Sequence, residues 1–410
     1  MTDTLSSTPY AALELARSFE SRMARGIQLY AGSCLLSPRV HQALNNSMGL
    51  MPAMGEAHHK QQPGTGEISQ LEELVNKQLT ALFDSHWAEA RLQSCTYANA
   101  AVYAAFSEPG ELIATISSEH GGHISHHEQG TLGVLSRRQL PLLFSNGVYD
   151  DPASAELIRT HRPRIVMLGG SVTLAPYDTR ETVLAAQETG ALLVYDASHV
   201  AGLIAAGLYQ NPMHLGFDIM TSSTYKTLSA PPGGLLLGRH DKHLRKLKQY
   251  LVGGWTSNYD ASRLTGISVA LDEAKLHMRQ YMGDMLHHVN YLYEALRKLG
   301  VDVIGSLQTG HSRPSSHQLV IRTGSAEQAT ALSKRAERLG IYAGTARIPN
   351  QAQAGGWRLG AQVITRQGIT EAGLDRLAWC LHGLINEAPE AEIAAEVQSL
   401  AAELNHCMYW

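Results

Sequence analysis

Two short segments carry residue types that could do covalent chemistry. The first is Leu192-Leu-Val-Tyr195-Asp196-Ala-Ser-His199-Val-Ala-Gly. Its apolar run reads as a buried strand, and a carboxylate directly after such a strand is costly unless a cationic or protonated group pairs with it. Capping of a following helix would account for the same aspartate. The second segment is Asp218-Ile-Met-Thr-Ser-Ser223-Thr-Tyr225-Lys226-Thr, ahead of Pro231-Pro-Gly-Gly. A lysine out of context is a solvated surface residue. This one ends a run of hydroxyls, and hydroxyls with turn amides make the backbone concavity a phosphate needs. A partly buried lysine also has a depressed pKa and can form a Schiff base with an aldehyde. An acid and a lysine at the ends of two nearby strands, beside a phosphate-type loop, suit pyridoxal phosphate. The acid would pair with the pyridine nitrogen and the lysine with the aldehyde.

The elements that must position these groups alternate between about 90 and 240. Ile165–Leu168, Leu192–Tyr195, Ile219–Thr221 and Leu235–Leu237 read as buried strands, with helical stretches such as Pro152–His161 and Thr179–Thr189 between them. This predicts an α/β fold with a mostly parallel sheet flanked by helices, in which ligands bind beyond the carboxyl ends of the strands. Residues after Pro9 and residues Leu71–Phe83 have helical periodicity, and Ser268–Leu299 predicts a long helix. The stretch Gly49–Gly66 has no period and reads as a long functional loop. The expected organisation is an N-terminal helical arm (1–25), a large domain (26–279) and a smaller C-terminal α+β domain (280–410).

The chain has 410 residues, 44% of them hydrophobic and 17% charged, with a net charge of −4. That composition is globular, and it lacks the basic excess of a nucleic-acid binder. No apolar run reaches the length of a membrane span, and the N-terminus has no signal-peptide pattern. The cysteines Cys34, Cys95, Cys380 and Cys407 are too scattered for a disulfide framework or a zinc ribbon, so a cytoplasmic location is expected. His120 and His123 have helical spacing that could suggest a metal, but Gly121-Gly122 argues against a rigid helix there, and no metal is expected.

The segments YDASHVAGLIAAG and DIMTSSTYKTLSAPPGGLLLG together resemble serine hydroxymethyltransferase. Further stretches resemble that family in order: SCTYANAAVYAAF (94–106), HGGHISH (120–126) and WRLGAQVITRQG (357–368). The resemblance implies a fold type I pyridoxal-phosphate enzyme with a large domain built on a seven-stranded sheet. It also implies roles. Lys226 would join the cofactor aldehyde, Asp196 the ring nitrogen, His123 one ring face, and His199 the region of the ring hydroxyl. Ser94, Cys95 and Thr96 would form the phosphate loop at the start of a helix. Ser171 and Ser223 would lie close to the cofactor. Arg358 would bind the carboxylate of a small amino-acid substrate, and Ser33 is a further candidate for contact with that substrate. Gly253-Gly254 resembles a loop that reaches a neighbouring subunit's phosphate, which implies a homodimer. Tyr195 and Trp357 read as packing.

The chain also departs from the family. Where the family has a glutamate followed by paired tyrosines, an ungapped match places Met54, then Gln61 and Gln62, with Glu56 two residues beyond Met54. Ala31-Gly32-Ser33-Cys34 replaces Ala-Ser-Glu-Asn, and Tyr225 replaces the histidine before the lysine. The leading expectation is therefore folate-independent aldol cleavage or transfer on a β-hydroxy amino acid. A racemase or epimerase using Lys226 with Tyr225, or with a histidine from 58–59, is the alternative. Tetrahydrofolate-dependent hydroxymethyl transfer, which a shifted loop alignment bringing in Glu56 would restore, is the third.

Overall fold

The computed structural model describes residues 10–306, 313–348 and 351–410. The first nine residues of the expected N-terminal arm lie outside the described residues. The large domain is built on seven strands: β1 (Trp87–Leu92), β2 (Leu112–Thr115), β3 (Arg138–Pro141), β4 (Ile165–Leu168), β5 (Leu192–Asp196), β6 (Ile219–Ser223) and β7 (Gly234–Gly238). Their spatial order is β1-β7-β6-β5-β4-β2-β3. All neighbours from β6 to β3 run parallel, and β7 alone is antiparallel to the strands on both its sides. Strands β4 to β7 are buried along their whole length. Burial on both faces explains why their sequences are continuous apolar runs without alternation.

The helices include α1 (Ala11–Ala24), which buries no residue, and α2 (Gly66–Phe83), α3 (Cys95–Phe106), α4 (Asp151–His161), α5 (Arg180–Thr189) and α6 (Ala261–Lys298), which pack around the sheet. Ser94 starts α3 by accepting a hydrogen bond from the amide of Tyr97. Glycine at 234 is required by close approach: a Cβ there would stand 2.1 Å from the carbonyl oxygen of Ser94. The reversed strand is thereby drawn against the first turn of α3.

The 38-residue helix α6 runs from the large domain into the small one, through the expected boundary at 279 and 280. The small domain carries an antiparallel sheet of β8 (Val303–Ile304), β9 (Gln318–Thr323), β10 (Gly344–Ile348) and β11 (Gln351–Gly360), in the order β8-β9-β11-β10. Near the other end of the chain, Ile27–Gln28 pair in parallel with Ile341–Tyr342.

The stretch read as an open loop is more ordered than expected. A short hairpin pairs Gly55–Glu56 with Lys60 and His59, and α2 already begins at Gly66. Two-residue strands are too short to show a period, and the turn depends on His58 taking a left-handed conformation (φ 61°).

Candidate active site

The carboxyl ends of the parallel strands converge on one cleft of about 340 Å³. It is lined by Ser94, Cys95, Thr96, His123, Ser171, Asp196, His199, Ser223, Tyr225 and Lys226, with Gly170 and Ser198. Asp196 is the last residue of β5. Lys226 follows β6, Ser171 follows β4, and His123 caps a single 3-10 turn at Ile124–His126 beyond β2. The glycine before Gly170-Ser171 has φ +98°, and a Cβ on Gly169 would meet the backbone oxygen of Asp196 at 2.1 Å. Only glycine lets these two strand ends lie so close.

Asp196 is held by four donors. Its Oδ2 accepts from Asn99 Nδ2 (3.0 Å), His126 Nε2 (3.2 Å) and Cys95 Sγ (3.6 Å), and its Oδ1 accepts from the Ser198 amide (3.0 Å). Burial pushes its pKa up, but the His126 hydrogen bond and the neighbouring His126, His123 and Lys226 outweigh it and hold the carboxyl well below the usual range. Behind it, the Tyr103 hydroxyl lies 2.7 Å from His126 Nδ1. With Nε2–H donating to Asp196, Nδ1 is the acceptor and Tyr103 the donor. Asn99, Tyr103 and His126 were not singled out in the sequence. Asn99 and Tyr103 sit in an Ala-rich helix, where only the one-turn spacing of two buried polar residues hints at a role.

Lys226 is buried, and that burial lowers its pKa, with Asp196 opposing. Its Nζ lies 5.8 Å from the centre of the Tyr225 ring. Burial raises the Tyr225 phenol. His123 Nδ1 accepts from the Ser125 amide (3.1 Å), and burial pushes its pKa down to about 4. It is therefore a neutral ring at physiological pH.

On the small-domain side, Arg358 on β11 reaches back to donate from Nη1 to the Ser171 carbonyl (2.5 Å). Its guanidinium sits 5.9 Å from the centre of the Tyr30 ring, and its buried Nε has no hydrogen-bond partner. Ser33 lies beside it through Tyr30, whose carbonyl accepts from Ser33 Oγ (2.9 Å). Four expected residues do not line the cleft: Arg358 and Ser33 stand behind it, and Glu56 and Gly254 lie elsewhere. Glu56 sits in the hairpin, where its Oε2 pairs with Lys248 Nζ, and it borders a different cleft with Glu72, Glu89 and Arg91. Gly254 lies in an exposed turn at Leu251–Trp255, where Trp255 makes an edge contact with Tyr97 in the first turn of α3. Tyr195 and Trp357 are fully buried packing residues, and all four cysteines are free.

These residues fit pyridoxal phosphate. The cleft joins a buried lysine of lowered pKa, a carboxylate kept ionised, a neutral imidazole and a hydroxyl-bearing turn at the start of a 12-residue helix. Fold and cleft together define a pyridoxal-phosphate enzyme of fold type I.

Comparison with known proteins agrees. The serine hydroxymethyltransferase family model matches residues 8–381. The serine hydroxymethyltransferase of Picrophilus torridus is 31% identical over 405 residues, covering 97% of this chain and 93% of that protein. That of Aeropyrum pernix is 29% identical over 396 residues, covering 95% and 90%. The α-methylserine aldolase of Variovorax paradoxus is 28% identical over 390 residues, covering 94% and 88%. In fold, the chain is similar to the crystal structure of L-threonine transaldolase from Pseudomonas fluorescens in its internal aldimine state. The TM-score is 0.90 at 22% identity, covering 97% of this chain and 92% of that one. The chain belongs to the serine hydroxymethyltransferase family, and pyridoxal phosphate is its cofactor.

Proposed function

We propose that this enzyme breaks or exchanges the Cα–Cβ bond of a β-hydroxy amino acid without tetrahydrofolate. The observation that carries this is the way the loop at Met54 closes on itself. The Met54 amide donates to Gln62 Oε1 (2.8 Å), and the Gln61 amide donates to the Met54 carbonyl (3.0 Å). At these positions the family resemblance calls for a glutamate and paired tyrosines. Here Gln62 closes a turn, and Glu56, two residues beyond Met54, pairs through Oε2 with Lys248 outside the cleft. The α-methylserine aldolase relative and the threonine transaldolase neighbour, both named for such chemistry, support the reading.

When bound, the cofactor supplies an aldehyde for the substrate amine and a ring that accepts the electron pair of a broken Cα bond. The chain's own residues direct which bond breaks. Arg358, whose Nε has no partner, would hold the substrate carboxylate, and a carboxylate so held is retained. That leaves the bonds from Cα to Cβ and to hydrogen. In cleavage, the β-hydroxyl gives up its proton, the Cα–Cβ bond breaks, an aldehyde departs and Cα regains a proton or meets a second aldehyde. Tyr225, with its raised pKa, keeps its proton near neutrality and is suited to return one to Cα. Lys226, whose pKa burial lowers, gives up its proton more readily than an exposed lysine. Racemisation could use the same pair, one group taking the Cα proton and the other returning it, so release of an aldehyde is what separates the two readings. The other candidate bases, His58 and His59, lie in the hairpin, where His58 Nε2 pairs with Glu73 at 3.1 Å.

We further propose that the enzyme acts as a homodimer whose subunits complete each other's clefts. Two exposed features support this. The Gly253-Gly254 turn has a left-handed residue at Gly253 (φ 78°), and α1 has no buried residue while bearing Leu13, Leu15 and Phe19.

The test is incubation of the purified enzyme with L- and D-amino acids, including threonine, serine and α-methylserine. Aldehyde release and product chirality are both measured. Aldehyde released without folate is the expected result. Inversion without aldehyde would replace this reading with racemisation. Serine cleavage accelerated by tetrahydrofolate would remove its folate-independent part.

A further inference from the structure

His199 borders the cleft, and its Nδ1 points away from it into a buried cluster. Three polar groups meet there: Gln318 Nε2 at 2.9 Å, His317 Nε2 at 3.4 Å and, through Gln318, the Ser171 carbonyl. The orientation of the Gln318 amide is fixed by two backbone groups of opposite polarity. Its Oε1 accepts from the Thr173 amide (3.4 Å), and its Nε2 donates to the Ser171 carbonyl (3.2 Å). Turning the amide over would set oxygen against oxygen and N–H against N–H. The second proton on Nε2 therefore points at His199 Nδ1. His317 is fixed in the same way, because its Nε2 is 3.0 Å from the Ala31 carbonyl and must carry a proton to bond it. Both neighbours of His199 Nδ1 are thus donors. A proton on Nδ1 would face the Gln318 N–H, and His317 Nε2, its proton directed at Ala31, has no lone pair to accept it. Burial of Gln318, His317 and His199 excludes water as a remedy.

We propose that Gln318 is a positioning residue that locks His199 as the neutral Nε2–H tautomer, so that the ring offers the bound cofactor a proton donor and never an acceptor or an imidazolium. The proposal rests on the cofactor reading of the cleft and is independent of which Cα bond breaks. Groups facing His199 from other elements act in the same direction. Burial is the largest influence against a positive charge on it, and Lys226 after β6 and Arg358 on β11 add to it, while His317 before β9 and His123 beyond β2 face it as neutral rings. The same amide joins His199 to the carboxylate-binding side, because the Ser171 carbonyl accepts from both Gln318 and Arg358. The two ends of the site, ring contact and substrate clamp, therefore share one backbone oxygen.

The direct test is the tautomer itself, read in the holoenzyme by long-range 1H–15N correlation on histidine-labelled protein, with His199→Gln to assign the signals. The expected spectrum shows His199 protonated at Nε2 and bare at Nδ1 from pH 5.5 to 8. A proton on Nδ1, or a charged ring within that range, would overturn the proposal. The second arm uses Gln318→Glu, which replaces a donor with an acceptor at 2.9 Å from Nδ1. The visible absorbance of the bound cofactor is expected to be flat over the same pH range in the parent enzyme and to acquire a new titration in the variant. A variant that folds, binds the cofactor and stays flat would count against the proposal. Gln318→Met, which removes the polar contact without adding an acceptor, is expected to show no such titration. An enzyme that never takes up cofactor would sink the reading of the cleft instead, while the tautomer could still be read in the protein alone.

Discussion

Asp196 and Lys226 are opposite cases of burial. The carboxylate gains four donors and stays ionised, whereas the nearby Asp196 charge does not offset the desolvation of the amine and its pKa falls. Capture of the cofactor aldehyde needs the neutral amine, so its rate should rise with pH with a midpoint below the ordinary lysine value of 10.5. Stopped-flow reconstitution across pH checks this, and a midpoint at the ordinary value would contradict it. Lys226→Ala should abolish activity and the covalent attachment of the cofactor, read by borohydride trapping and mass spectrometry. Tyr225→Phe, by removing the proposed acid, should lower kcat by about 10²-fold or more with KM little changed, as expected for a general acid. Asp196 and Lys226 were legible from the residues themselves, one directly after an apolar run and the other at the end of a hydroxyl run, and strand ends are where an α/β fold puts its ligands; Ser171 and His123 were legible only through the family resemblance. His126, Asn99 and Gln318 were not, because their roles depend on contacts between segments far apart in the chain. Gln318 and Ser171, 147 positions apart, meet only when the small-domain sheet packs against the large one.

At the level of elements, buried ion pairs fasten what the hydrophobic pattern alone leaves loose. Arg366, just after β11, donates to Glu273 of α6 at 3.0 Å, and Glu273 also holds Ser37. Both partners of the pair are buried. Glu273→Gln would leave Arg366 without its counter-charge, at a cost of about 3–5 kcal/mol. Urea denaturation should show a lower midpoint with an unchanged slope, and an unmoved midpoint would mean the pair contributes nothing. In the hairpin before α2, Lys60 pairs with Glu72 at 2.6 Å, and Arg91 donates to both Glu89 and the Gly55 carbonyl. These contacts explain why a stretch rich in Gly, Pro and His is ordered. Its order comes from charges supplied by α2 and β1, and no local periodicity announces it. The long buried strands, by contrast, could be read with nearly their observed ends, because continuous apolar runs bounded by polar residues fix both limits.

For the whole molecule, the buried histidines set an acid limit on stability. Burial pushes His317 down to about 3 from 6.5. The unfolded chain then binds a proton that the folded chain refuses, so stability is full above pH 6.5 and is lost progressively as pH falls towards 3. At pH 5 the loss from this one residue is about 2 kcal/mol. His317→Gln, which can still donate to Ala31, should flatten the decline in thermal midpoint between pH 7 and pH 5. A decline as steep as in the parent would place its origin elsewhere. The pairing of Ile27–Gln28 with Ile341–Tyr342 has a consequence for how the chain is made. Synthesis from the N-terminus completes β1 to β7 and Lys226 before it reaches the partner of residues 27 and 28, and Arg358 comes later still. The lysine of the cleft is therefore always made ahead of the arginine that would hold a substrate.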